Sequence, residues 1–221
     1  MSKSSFIKDP SEFYRNMRPD LSPYLFHFSN YEHPFLDWLS ILNEESIRSK
    51  KNDFICYSEA LITMMGRMLD YFEEKHGRFS KYGIGILRNE LIKLGAKPVI
   101  YGDSEDETAL SGTQMSWRYV NLTYTPIEKI GDKNNSIDYT WQREWRTRGN
   151  KLDFSAIPDS AIIVIAPSID QLRNDAKLAK HQCPIIKLPS RNYKITTFDW
   201  IKTKDNDYDL RLDILLQYLK S

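Results

Sequence analysis

Asp138-Tyr139-Thr140-Trp141-Gln142-Arg143-Glu144-Trp145-Arg146 sorts by a period of two into an aromatic face and a polar face. Tyr139, Trp141, Arg143 and Trp145 fall on one side, and Thr140, Gln142, Glu144 and Arg146 on the other. A strand of this kind buries its rings and presents an amide, a carboxylate and a guanidinium in line. That row can furnish a polar cleft with a rigidly held carboxylate. It can equally be the solvated face of an antiparallel strand.

Outward from this stretch, the strands sort by burial. Ser160-Ala161-Ile162-Ile163-Val164-Ile165-Ala166 is continuously apolar, so it is expected to be covered on both faces. Tyr24–Phe28, Tyr82–Leu87, Lys97–Tyr101 and Pro184–Leu188 read as further strands, and Phe54–Tyr57 as a short strand or the lead into the next helix. Helices are expected near Phe35–Arg48, from Ala60 to about Lys75, at Arg88–Leu94 before Gly95, from Thr108 to about Val120 after a turn and helix start at Asp103–Glu107, at Ile169–Ala179 and at Leu210–Leu219. Thr125–Ser136 reads as a polar loop and Gly149-Asn150 as a turn. Helices gather early and strands late, a pattern that favours α+β over a doubly wound sheet. Residues 1–22, with Pro10 and Pro19, read as an N-terminal arm, and residues 23–221 as one domain.

The chain has 221 residues, 41% of them hydrophobic, and a formal net charge of +1, so no global field draws it to nucleic acid or a membrane surface. Its opening residues lack the apolar core of a secretory signal, and no apolar run reaches the length of a membrane span. Two cysteines, Cys56 and Cys183, do not make a disulfide framework and suit a reducing compartment. A cytoplasmic protein without membrane contact is the resulting expectation.

Several chemistries lack their residues. Gly83-x-Gly85 has Arg88 where the third glycine of a dinucleotide fingerprint would stand. There is no phosphate-binding GxxxxGK[ST] loop and no GxSxG elbow. The four histidines are scattered, and His181-x-Cys183 does not match a zinc pattern, so no metal is expected. His27, flanked by Phe26 and Phe28, reads either as a core histidine or as a ligand. Arg143, Arg148 and Lys151 beside Trp145 have the composition of a single-strand nucleic-acid or partner surface, or of a solvated hairpin.

The order of the pieces carries more than any one of them. Leu25-Phe26-His27-Phe28-Ser29 is followed by a helix, then Cys56-Tyr57-Ser58-Glu59, Tyr82-Gly83-Ile84-Gly85, Pro98-Val99-Ile100-Tyr101 and Gln142-Arg143-Glu144-Trp145-Arg146. This series, across roughly residues 24–166, resembles the AbiGi-type abortive-infection (phage-resistance) family and the DarT-like ADP-ribosyltransferase toxins. The resemblance implies an ADP-ribosyltransferase fold, a split β-sandwich that grips NAD as a substrate without metal. It implies Glu144 as the catalytic glutamate with Gln142 beside it in a Q-x-E pattern. His27 would bind the adenosine or nicotinamide side of NAD, with Phe28, Ser29, Tyr57, Ser58, Tyr82, Arg88 and Arg146 also against the cofactor. Arg118 is a second candidate for the cofactor-binding arginine. The role implied is that of a toxin or anti-phage effector acting on nucleic acid or protein, with a cognate antitoxin or defence partner. A non-catalytic antitoxin or defence module of the same fold, recognising its partner through the Trp/Arg hairpin, is the other class. A hydrolase built on Glu144 is weaker, because only Asp138 could join it on that strand.

Overall fold

The computed structural model describes residues 22–30, 32–49, 52–62, 65–66, 69–70, 79–122, 140–168, 170–171, 174 and 194–197. The proposed arm up to Leu21, the loop Thr125–Ser136, the strand Pro184–Leu188 and the helix Leu210–Leu219 lie outside these residues.

Eleven strands are described. These are β1 Tyr24–Asn30, β2 Ser46–Arg48, β3 Phe54–Ser58, β4 Phe79–Leu87, β5 Lys97–Pro98, β6 Ile100–Gly102, β7 Tyr119–Asn121, β8 Glu144–Arg148, β9 Lys151–Asp153, β10 Ile162–Ala166 and β11 Lys194–Thr197. Seven of them form one sheet in the order β11-β10-β4-β1-β3-β8-β5. Neighbours in it run antiparallel except β10 and β11. β2 with β9 and β6 with β7 make two small sheets. The architecture is α+β around a mostly antiparallel sheet.

The sheet is covered on both faces. On one, Leu25, Tyr57, Ile84, Ile86 and Val164 pack against Phe35, Trp38 and Leu42. Those three side chains share one face of the helix Pro34–Glu44, at spacings of three and four residues. Trp38 Nε1 donates to the Gly83 carbonyl at 3.1 Å and fixes the helix on β4. On the other face Tyr24, Phe26, Ile163 and Ile165 meet Met65 and Leu69. β10, paired on both sides and buried throughout, is the doubly covered strand that its composition predicts.

Four expectations need correction. The expected strand through Tyr139–Arg146 begins only at Glu144. Thr140–Gln142 is a 3-10 turn, and Arg143 has φ 48°, which breaks the extended run. The first helix ends at Glu44, not Arg48, because Glu45 turns left-handed at φ 48° and Ser46–Arg48 pairs with β9. Lys97–Tyr101 is two short strands in different sheets, parted at Val99, whose N–H turns to the Glu144 carbonyl at 3.0 Å. The acidic run Asp103–Glu107 does start a helix, Ser104–Leu110, but that helix does not continue over all of the expected Thr108–Val120. Asp103 caps it by accepting from the Glu105 and Asp106 amides, and a 3-10 turn and β7 follow. Strands are interleaved along the chain rather than gathered late, so the order argument reached α+β by a wrong step. β11 was not anticipated.

Candidate functional site

β1 and β4 pair at six positions, from Tyr24↔Leu87 to Asn30↔Phe79, with a register shift between Phe28 and Asn30. β1 and β3 are in register at one, Phe26↔Ser58. Beyond it a side chain takes over the ladder's role: His27 Nδ1 lies 2.9 Å from the Cys56 carbonyl. A carbonyl only accepts, so Nδ1 carries the proton, and in the neutral ring Nε2 is left as an acceptor. Burial holds the His27 pKa below its ordinary value, and the bond to the Cys56 carbonyl opposes that shift only in part. His27 also meets Tyr57 edge-on, with centroids 6.2 Å apart.

A pocket of about 140 Å³ opens at this seam. Phe26, His27 and Phe28 line it from β1, and Cys56, Tyr57 and Ser58 from β3. Trp141 and Gln142 close it from the 3-10 turn, and Met65 from the helical segment beneath. It is smaller than the roughly 300–1,000 Å³ of a pocket that swallows a drug-sized ligand. One ring system fits; a dinucleotide would have to leave most of its length outside.

The turn is fastened to the end of β3. Ser58 Oγ donates to the Gln142 carbonyl at 2.6 Å. The Glu59 amide reaches the Gln142 and Arg143 carbonyls at 3.1 and 3.3 Å. Glu59 is itself buried, with 7% exposure. Its carboxylate pairs with buried Arg88 and accepts from Trp145 Nε1 at 3.0 Å. The joint links β3, the turn, β8 and the helix Arg88–Lys93.

Glu144 stands opposite Ser58 in the register and on the same sheet face as Cys56. Its Oε1 accepts from Arg146 Nε at 2.7 Å. Its side chain is 11% exposed. Arg146 is held further by the Trp117 and Tyr119 carbonyls at 2.7 and 3.0 Å, and its guanidinium lies 4.0 Å from the centre of the Phe54 ring. The Cys56 thiol is pushed up to about 12 by burial first and by the Glu144 carboxylate next, with Arg146 acting the other way. The Cys56 thiol therefore keeps its proton beside Glu144.

Of the residues singled out in the sequence, the pocket gathers His27, Phe28, Tyr57, Ser58 and Gln142. Glu144 and Arg146 adjoin it through Cys56. Ser29 is buried beyond it, with Ser80 Oγ donating to its carbonyl at 3.2 Å. Tyr82 lies in the core against Phe35 and Trp38, away from the pocket. Arg88 is committed to Glu59. Arg118 donates to the Pro98 carbonyl at 2.9 Å. The residues of the basic hairpin have different settings. Trp145 faces the core, and Lys151 pairs with Asp153 at 2.9 Å. Arg148 is exposed, and Arg143 occupies the left-handed corner. Sequence reasoning missed Trp141 as a pocket wall, having put it on the strand's buried face. It missed the roles of Cys56 and Glu59 too. Their signal was the Cys56-Tyr57-Ser58-Glu59 run, which the resemblance used for Tyr57 and Ser58 alone.

Among the described residues, no three His, Cys, Asp or Glu side chains are grouped to hold a metal, and no helix is long and apolar enough to cross a membrane. Comparison with protein-family models, curated proteins and solved structures gives no match to this chain.

Proposed function

We propose that this chain is an NAD-dependent ADP-ribosyltransferase of the split β-sandwich type, acting as a toxin or anti-phage effector. The observation that carries the reading is the seam between β1 and β3. There a ring-sized aromatic pocket gathers His27, Phe28, Tyr57, Ser58 and Gln142, with Glu144 one strand away. These residues come from three distant segments, and the resemblance had picked them out together.

In the reaction the nicotinamide–ribose C–N bond breaks, and its electron pair leaves with nicotinamide, neutralising the pyridinium. The acceptor's nucleophile bonds to ribose C1′ and gives up its proton. Positive charge grows on the ribose in the transition state, as in glycoside hydrolysis. A fixed carboxylate stabilises that charge more than it stabilises the ground state. Glu144 is the candidate, held in one geometry by Arg146 and by the Tyr101 hydroxyl, to which the Glu144 amide donates at 2.9 Å. The nicotinamide ring would occupy the pocket against Phe28 and Trp141. The adenosine side would lie across the mouth toward an acceptor, nucleic acid or protein, with Arg148 and Lys151 as outer contacts.

One observation favours the second reading, a non-catalytic antitoxin or defence module of the same fold. The Glu144 carboxylate is tied to Arg146 and little exposed. Nicotinamide release from NAD separates the two readings. Glu144→Gln is expected to keep the fold and lower release about a hundredfold to a thousandfold, the usual effect of removing one electrostatic contact to a transition state. Release by the variant at the parent's rate would remove Glu144 from the chemistry. No release by the parent would favour the binding module.

A further inference from the structure

Residues 100–122 stand apart from the main sheet. β6 and β7 form their own small parallel sheet. The helix Ser104–Leu110 between them buries no side chain. Met115 and Leu122 are exposed, and among the described residues neither core cluster takes a side chain from this stretch. Polar contacts tie the lobe to the sheet, and they converge on two residues of β8. The Glu144 amide donates to the Tyr101 hydroxyl at 2.9 Å. One nitrogen of the Arg146 guanidinium donates to the Trp117 and Tyr119 carbonyls at 2.7 and 3.0 Å. Another donates to the Glu144 carboxylate at 2.7 Å. Arg118 adds a bond from the lobe to the Pro98 carbonyl of β5 at 2.9 Å. At this knot the side chains of Glu144 and Arg146 are each 11% exposed.

A lobe without core contacts opens at a lower free energy than the sheet it rests on. Opening would strip Arg146 of two carbonyls and admit water to its pair with Glu144. A buried pair is tight, whereas the same pair in water is worth little. The Glu144 backbone would keep its place, because its register with Ser58 on β3 does not pass through the lobe. We propose that residues 100–122 form a hinged cover with Arg146 as its latch: closed, it withholds the Glu144 carboxylate, and swung out from Val99, it releases it. That the released carboxylate serves catalysis rests on the transferase reading; the latch itself does not. Coupling runs both ways, so a group that takes the Glu144 carboxylate from Arg146 loosens the lobe.

Carbodiimide-driven amine labelling of the full chain, read residue by residue by mass spectrometry, measures carboxylate access directly. In the parent, Glu144 should label at least about tenfold more slowly than Glu105 and Glu107, exposed on the lobe's helix, because it waits on opening. Tyr101→Phe removes one tie of the closed lobe and leaves both latch side chains in place. Glu144 labelling should then rise about twofold to tenfold, the effect of one lost hydrogen bond, while Glu59, buried against Arg88, keeps its parent rate. Amide exchange gives a test without a variant. The Glu144 amide, bonded to the lobe, should be less protected than the amides of β10, which open with the sheet. Glu144 labelling as fast as Glu105 in the parent, or unchanged by Tyr101→Phe, overturns the proposal. So does a Glu144 amide as protected as those of β10. A rise shared by Glu59 overturns it too, since the whole fold and not the lobe would have loosened. Failure of the transferase reading looks different: Glu144 labelling would follow the lobe as described, while neither protein released nicotinamide from NAD.

Discussion

His27 is where one side chain meets two demands. Its Nδ1–H completes a seam that the backbone leaves open, and its ring walls the pocket. Burial lowers its pKa from the ordinary 6.5. The unfolded chain therefore takes up the proton first as pH falls. The stability that His27 contributes is complete above about pH 6.5. It is lost as pH drops through that value toward the lower native one. We predict that melting temperature falls more steeply between pH 7 and 5 in the parent than in His27→Gln. Parallel curves would mean that the ring is no more protected from protonation in the folded state than in the unfolded one. The sequence showed the histidine but not its setting: Phe26 and Phe28 beside it fit a core histidine and a ligand equally.

At the scale of the strand, Gly83 and Gly85, which lack the third glycine of a dinucleotide fingerprint, have a spatial use. A Cβ on Gly83 would lie 2.7 Å from Phe28 Cδ1 and 2.9 Å from the His27 carbonyl oxygen. One on Gly85 would lie 2.7 Å from Ile163 Cγ1 and 2.9 Å from Phe26 Cε1. The glycines clear room on β4 for the rings of β1 that shape the pocket. Gly83→Ala is expected to cost about 1–3 kcal/mol, as overpacked cores do, and to loosen ligand binding by moving Phe28. Chemical denaturation reads the first effect. A cost under about 0.5 kcal/mol would show that Phe28 yields freely. The alternation of Tyr82, Ile84 and Ile86 was enough to place β4. What closed on the other face was not legible, because close approach leaves no mark in a sequence beyond the glycine itself. The same limit applied at Arg143. Nothing in its type announces φ 48°, so an alternating pattern was extended through a corner.

Across the whole molecule, burial and pairing were legible wherever one segment decides them, as in β10. They were not where two segments meet, and the joint at Glu59 is the clearest case. There a carboxylate with 7% exposure binds Arg88 and Trp145, and its backbone holds the turn that carries Trp141 and Gln142. Arg88 reaches back in turn, its amide donating to the Pro23 carbonyl at 2.9 Å. Breaking such a pair leaves one charge buried alone, so Glu59→Ala should cost about 3–5 kcal/mol. Replacing both partners by apolar groups of similar size should be far milder, because neither charge then remains to be desolvated. We therefore predict that Glu59→Leu with Arg88→Met is more stable than either single change. The residual loss should be about 1–3 kcal/mol, traceable to Trp145 Nε1 losing its acceptor. A double-mutant cycle by denaturant unfolding measures the coupling. Simple additivity would mean that the two side chains do not depend on each other. Strong coupling, with the pocket's ligand affinity reduced alongside stability in Glu59→Ala, would place the same joint under both the fold and the site.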